Sequence, residues 1–469
     1  QINWNVMSDG DTLYISGGSD SLVYNEALGS VGKSNITITK GKSSGYNGRV
    51  IIKAPTAGSG TAVQVLGRSN VKISKLEFHN WGSNIYLNGI INKFYLDSNK
   101  IINSYGGFVT TGGGLDTTGP KRNIWITNNY ITTATWGTDQ CEFSFYGTKN
   151  VYVIGNVVIN SNNNPNPHDD FAQGDGGTNN YFINNYFQFT PNVEKEGNAN
   201  GLSAITNHGG DWVSVNNIFV KNNWQLVANV NHLYRPVSRP DLWFRNWAKV
   251  LIANNTSIKY TGRHFMVDCD SQAVIKNNIL WIPGEFHNGG SAGLLYFIQP
   301  DLADNPIHSV DDYVIRNNIM IDNSSYASSR SYLGGLNVPP MHSSNQLIKN
   351  TTTTPGFANF YYGNTDPQQF QLTSSSICRD AGESNITFEM HPDNDPDALN
   401  YLGSGDNIVN YYLKRDWNGR LRDANWDVGA FEYVDNQVIQ DNDPPEVISA
   451  IVIDSITVNV TFSEPMDQS

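Results

Sequence analysis

Carboxylates, histidines and one run of arginines and tryptophans are the side chains of this sequence whose types and spacing suit chemistry. The densest polar group is the phrase Asn166-Pro-His-Asp-Asp-Phe-Ala-Gln-Gly-Asp-Gly-Gly177, which sets His168 and Asp170 beside Gln173 and Asp175. A histidine among carboxylates can exchange protons near neutral pH; it can equally cap a turn and bond its neighbours. His208 and Asp211 follow about one repeat later and give a second histidine for the same wall. Three segments, Gly114-Leu-Asp116, Glu142-Phe-Ser144 and Asp170-Phe-Ala172, align when Leu115, Phe143 and Phe171 are taken as inward. Alternation then sends Asp116, Glu142 and Asp170 outward as a ladder of acids. Such a ladder reads as a Ca2+ site of hard oxygen ligands, as a hydrolase pair whose pKa values are driven apart, or as a solvated acidic edge of turn-forming Asp.

A second group occupies the longest insertions of the chain. Glu194-Lys195-Glu196 precedes Asn231-His-Leu-Tyr-Arg-Pro-Val-Ser-Arg-Pro-Asp-Leu-Trp-Phe-Arg-Asn-Trp247. Tyr234, Trp243 and Trp247 supply flat faces on which sugar rings stack, and Arg235 and Arg239 supply forks that bind carboxylate or sulfate in pairs of hydrogen bonds. The alternative is that the tryptophans cover a strand edge and the arginines form its fringe. The glycine-rich Thr111-Gly-Gly-Gly114 and Gly174-Asp-Gly-Gly177 precede no helix pattern and read as turns, not as phosphate loops.

The elements that must position these residues are strands. One phrase recurs: Asn123-Ile-Trp-Ile-Thr-Asn-Asn-Tyr-Ile131, Asn150-Val-Tyr-Val-Ile-Gly-Asn-Val-Val158, Asn179-Asn-Tyr-Phe-Ile-Asn-Asn-Tyr-Phe187, Ala273-Val-Ile-Lys-Asn-Asn-Ile279 and Tyr313-Val-Ile-Arg-Asn-Asn-Ile319 among others. Apolar and polar positions alternate, β-branched and aromatic residues dominate, and turn residues bound each unit. The second Asn of each pair returns every 23 to 40 residues. That period predicts a solenoid of short strands in which each coil buries its apolar face on its neighbours. Asn makes up 61 of the 469 residues, and stacking at one turn of successive coils accounts for the excess.

These phrases, with Asp11-Thr-Leu-Tyr-Ile-Ser-Gly-Gly18 at the start and Asp366-Pro-Gln-Gln-Phe-Gln-Leu372, Ser376-Ile-Cys-Arg-Asp-Ala-Gly382, Asp416-Trp-Asn-Gly-Arg420 and Asp427-Val-Gly-Ala-Phe-Glu-Tyr433 at the end, resemble the secreted right-handed parallel β-helix proteins of the pectate-lyase-like class. The style is similar to the secreted proteins of Bacteroidetes. The resemblance implies an all-β solenoid over residues 1–435. It also implies a Lys or Arg base for a lyase, which makes Lys195, Arg235 and Arg239 candidates by chemistry. A linker over 436–446 leads to strands Val447-Ile-Ser-Ala-Ile-Val-Ile453 and Ile456-Thr-Val-Asn-Val-Thr-Phe462, which resemble the start of a bacterial Ig-like domain. Two strands make no sandwich, so continuation past Ser469 is expected, and Gln1 without a preceding Met is expected of a mature secreted product.

Acidic residues number 43 against 30 basic ones, with no basic run, which argues against a nucleic-acid partner. No apolar stretch reaches the roughly 20 residues of a membrane helix. Cys141, Cys269 and Cys378 have no metal spacing and read as small buried hydrophobes. The expected function is an extracellular lyase or glycosidase acting on an acidic or sulfated polysaccharide. In that reading proton transfer falls to some of His168, Asp170, Lys195 and His208, binding to Gln173, Tyr234, Arg235, Arg239, Trp243 and Trp247, and an optional Ca2+ to Asp116, Glu142 and Asp170. The other expectation is a non-catalytic surface module, an adhesin or a glycan-binding part of a larger envelope assembly.

Overall fold

A computed structural model of the chain describes residues 2–111, 121–134, 141–160, 170–189, 205–207, 211–220, 226–229, 249–258, 264–268, 272–284, 295–297, 313–324, 327, 333–335, 341–349, 352–361, 364–391, 394–435, 447–452 and 458–462. It divides into two units, Gln1–Tyr433 and Val434–Ser469. In the second, Val447–Val452 pairs antiparallel with Val458–Phe462.

The first unit is a parallel β-helix. Each coil contributes one strand to each of three sheets, and every described pairing between coils is parallel. Inward positions stack coil on coil: Ile38, Ile73, Leu96, Ile126, Val153 and Phe182 occupy one column, all fully buried. Burying each such side chain stabilises the fold by about 1.5–3 kcal/mol. Strand Asp170–Ile183 runs without a break through two sheets, pairing with Cys141–Ser144 at one end and Thr148–Ile154 at the other.

The Asn pair forms the corner between the first and second sheets, and its two members do different work. The first member is left-handed, with φ between 53° and 56° at Asn128, Asn184, Asn216, Asn254, Asn277 and Asn317. Asn tolerates this region better than most residues, and Gly155 takes the same corner with φ 66°. The second member turns inward. Asn99, Asn129, Asn156, Asn185, Asn217, Asn255, Asn278, Asn318 and Asn345 form a continuous buried ladder. Asn156 illustrates a rung: its Nδ2 donates to Ile126 O at 2.9 Å and to Asn185 Oδ1 at 3.0 Å, while its Oδ1 accepts from the Asn129 backbone N at 3.0 Å and from Asn129 Nδ2 at 2.9 Å. Every coil from Lys100 to Arg316 crosses this corner in the same two residues.

The described residues 364–391 and 394–433 do not add coils. They lie along the outside of the helix, with short helices Pro396–Leu399 and Ile408–Leu413. On the first sheet they bury the outward Trp125, Tyr152, Tyr181, Val213 and Leu251 beneath Phe388, Met390, Ile408 and Leu413. On the second they bury Tyr186, Ile218, Ile258 and Trp281 beneath Phe370, Leu372, Cys378 and Phe431. The left-handed asparagines fasten this cover. Asn184 Nδ2 donates to Trp417 O at 3.0 Å, Asn216 to Tyr412 O and Arg415 O at 2.8 and 2.9 Å, and Asn277 to Glu383 O at 3.0 Å.

The end of the cover closes on Arg422, whose side chain is wholly buried. Its Nη1 donates to Glu432 Oε2 at 2.8 Å, Nη2 to Gly429 O at 2.9 Å and Nε to Arg415 O at 3.2 Å. Asp416 and Asp427 are buried alongside. Burial pushes the Glu432 carboxyl up to about 7, against the pull of Arg422, and raises Asp416 and Asp427 as well. A carboxyl raised in the folded state contributes stability that is present below its unfolded value and lost as pH rises through the folded value. The unfolding midpoint is therefore expected to fall between about pH 4.5 and pH 7–8, and to fall less in Glu432→Gln; parallel declines in denaturant titrations would reject the assignment to Glu432.

Candidate functional site

None of the apolar contacts that bury the outer faces of the first two sheets extends to the third sheet among the described residues. Its strands include Ser59–Leu66, Trp81–Asn88, Val109–Thr111 and Cys141–Ser144. Val63, Ile85, Val109 and Phe143 share the inward column and are fully buried. The next position of each strand lies on the outer face, and there Ser30, Gln64, Tyr86, Thr110 and Ser144 stand in register. All five are exposed or half-buried. Successive members are about 4.8 Å apart along the helix axis.

This row is made of hydroxyls, one amide and one phenol. Ser30 Oγ donates to Gln64 Oε1 at 3.0 Å, and Ser83 Oγ lies 3.2 Å from Thr110 Oγ1. Such groups both donate and accept, which matches the hydroxyls of a saccharide. The row carries no carboxylate, histidine or ammonium. Sequence reasoning passed over it, although the alternation in Gly60-Thr-Ala-Val-Gln-Val-Leu66 carried the signal.

Ser144 is followed in register by Gln173, and Cys141 by Asp170. This pairing corrects the acid ladder. The expected alignment set Phe143 beside Phe171, whereas Phe143 pairs with Ala172, which is fully buried. A slip of one residue exchanges the two faces of a strand, so Glu142 and Asp170 do not share a rung. The strand that precedes Cys141–Ser144 in the sheet is Val109–Thr111 rather than Gly114-Leu-Asp116. Glu142 and Asp170 of the expected Ca2+ set are thus not aligned by the backbone register. Among the described residues no group of three His, Cys, Asp or Glu could hold a metal.

Asp116, His168, Lys195, His208, Tyr234, Arg235, Arg239, Trp243 and Trp247 lie outside the described residues, as do the side chains of Glu142, Asp170 and Gln173. Their places in the chain are informative nonetheless. Residues 190–204 connect the second-sheet strand Tyr186–Phe189 to the third-sheet strand Ile205–Asn207, and residues 230–248 connect the third-sheet strand Leu226–Asn229 to the first-sheet strand Lys249–Ala253. Each connection thus begins or ends at a third-sheet strand.

Asp211 belongs elsewhere. It opens first-sheet strand Asp211–Val215, is fully buried, and accepts from Tyr181 Oη at 2.7 Å, the His391 backbone N at 2.7 Å and Asn394 Nδ2 at 3.2 Å. Burial, with the Asp211 charge beside it, raises the Tyr181 phenol well above its ordinary range. This carboxylate holds the C-terminal cover and is no part of an open groove. Cys378, part of that cover, is a free buried thiol, and burial raises its pKa.

No helix among the described residues is long and apolar enough to cross a membrane. Compared with models of protein families and with curated proteins, the chain finds no match.

Proposed function

We propose that this chain is an extracellular carbohydrate-active protein of the pectate-lyase-like type, a polysaccharide lyase or glycoside hydrolase whose acidic or sulfated polymer lies along the third sheet. The observation that carries the reading is the polar row of the third sheet from Ser30 to Ser144, on a face to which the cover that buries the later coils of the other two sheets does not extend among the described residues. The long connections that hold Lys195, Arg235, Arg239, Trp243 and Trp247 begin or end at strands of that sheet. In this reading those side chains bind sugar rings and their anionic groups, while His168, His208, Asp170 or Lys195 moves the proton.

The absence of any carboxylate or histidine from the row Ser30, Gln64, Tyr86, Thr110 and Ser144 favours a second reading. In it the face binds glycan without turnover, as a surface adhesin or a module of an envelope assembly.

Incubation with a panel of uronic-acid and sulfated glycans separates the readings. A lyase generates both reducing ends and the ultraviolet absorbance of an unsaturated uronate; a hydrolase generates reducing ends alone. His168→Ala or His208→Ala is expected to lower the rate at least a hundredfold where that histidine transfers the proton. Retention of glycan with neither signal supports the binding module. Neither turnover nor retention across the panel would sink both.

A further inference from the structure

The net charge of −13 conceals an uneven distribution. Residues 33–122 hold twelve Lys and Arg against three Asp and Glu, a net charge of +9, which leaves −22 for the rest of the chain. Part of this surplus is gathered on the outer face of the second sheet. Strands Arg49–Lys53, Glu77–His79 and Lys100–Ser104 pair so that Ile51, Glu77 and Lys100 form one column and Lys53 and His79 another. Val50, Ile52, Phe78 and Ile101 fill the coil interior, so alternation sets Arg49, Lys53, Glu77, His79 and Lys100 on the outer face.

Glu77 is the anchor of this cluster. Its side chain is 9% exposed; Arg49 Nε and Nη2 donate to its two oxygens at 2.8 and 2.7 Å, and His79 Nε2 lies 3.2 Å away. The Arg49 hydrogen bonds hold this carboxyl below its ordinary range and Lys100 adds to the effect. Lys75, two residues before Glu77 at the corner, is exposed like Lys53 and Lys100. Arg49 and Lys100 therefore act on this one carboxylate, Lys53 and Lys75 stand exposed beside them on the same sheet and its corner, and Asp20 acts on Arg49. The C-terminal cover reaches this sheet only at later coils, from Ile159 onward, and Tyr130, aligned with Lys100, is 40% exposed.

We propose that this outer face of the second sheet binds a linear polyanionic glycan, bearing carboxylate or sulfate groups, at a site separate from the third sheet. Lys53 and Lys100 stand two strands apart, about 10 Å along a straight axis, with Lys75 at the corner of the strand between them, an arrangement that suits an extended chain carrying regularly spaced anions. Arg49 is committed to Glu77, so Lys53, Lys75 and Lys100 act as point charges without a demand for one anion geometry. Tyr130 offers one ring face, enough for a sugar ring beside its charged neighbour and too few for the successive stacking that holds a single nucleic-acid strand. The site rests on charge and register, and holds whether or not the third sheet turns substrate over.

The test is titration of the full chain with dextran sulfate and with polygalacturonate at a series of NaCl concentrations. Binding that weakens linearly in log–log form with salt is expected, as counterions are released. The double variant Lys53→Glu/Lys100→Glu is expected to lose at least tenfold in affinity and to show a shallower salt slope. Lys72→Glu, the same kind of charge change on the neighbouring first sheet, is expected to stay within twofold. Wild-type affinity in the double variant, an equal loss in Lys72→Glu, or no binding to either polymer at low salt would each overturn the proposal. So would tighter binding to single-stranded DNA or to anionic phospholipid vesicles than to either glycan.

Discussion

Asn217→Ala is expected to destabilise the β-helix by about 3–5 kcal/mol, because it orphans several buried groups at once. Asn217 Nδ2 donates to Phe182 O at 2.7 Å, and its Oδ1 accepts from the Asn185 backbone N at 2.9 Å and from Asn185 Nδ2 at 3.0 Å. Alanine supplies none of these partners, and water has no access, since both asparagines are fully buried. Asn35→Gly is the matched control. Asn35 has φ 52° and an exposed amide bonded to Asp9, so glycine keeps the backbone and the expected change is under about 1 kcal/mol. Denaturant midpoints followed by circular dichroism compare the two. Coils of a solenoid depend on their nearest neighbours, so amide exchange should rise first around residues 185 and 217. Equal losses in both variants would show that the inner ladder has no special weight.

Arg422→Leu is the second large effect, expected at about 3–5 kcal/mol, the usual cost of removing one partner of a buried ion pair. The guanidinium bonds Glu432 and the backbone oxygens of Arg415, Asp427, Gly429 and Ala430, and its Nη2 reaches Asn216 Oδ1 at 3.4 Å. Leucine leaves these carbonyls bare and Glu432 without its cation. The loss should depend on pH in a defined sense. Glu432, at about 7 with Arg422 in place, rises further without it, and a neutral carboxyl tolerates burial where a carboxylate does not. The deficit relative to wild type is therefore expected to be smaller at pH 5 than at pH 8. A deficit that grows on acidification would mean that Arg422 acts through something other than its carboxylate neighbour.

The repeat was legible because its cause is local and periodic: an inward amide selects Asn at the second corner position, and a left-handed turn selects Asn at the first in most coils. The C-terminal cover went unread, since the expected solenoid ran to residue 435, although a signal for it was present. Ile124-Trp-Ile126, Val151-Tyr-Val153 and Tyr181-Phe-Ile183 are apolar at consecutive positions, the mark of strands buried on both faces, and the layer on their outer side is residues 364–433. Register was not legible in the third sheet. Glu142-Phe-Ser144 and Asp170-Phe-Ala172 look interchangeable, yet small Ala172, not Phe171, shares the column of Phe143. The candidate chemistry sits largely in connections, where no period ties a residue to a coil. The basic surplus of residues 33–122 was hidden because its lysines are dispersed along the chain and meet only through strand pairing.

The two-residue Asn corner also determines where this architecture is free to change. From Lys100 to Arg316 the corner keeps its length while whole coils run from 23 to 40 residues, so the variation falls outside it, in the strands and connections that lead from the second sheet through the third and back to the first. One edge of the molecule is a fixed spine and the opposite face is open to insertion. Loops can be lengthened, exchanged or grafted beside that face without altering a rung of the spine, and divergent descendants of this fold can acquire new specificities there while inheriting an unchanged backbone frame.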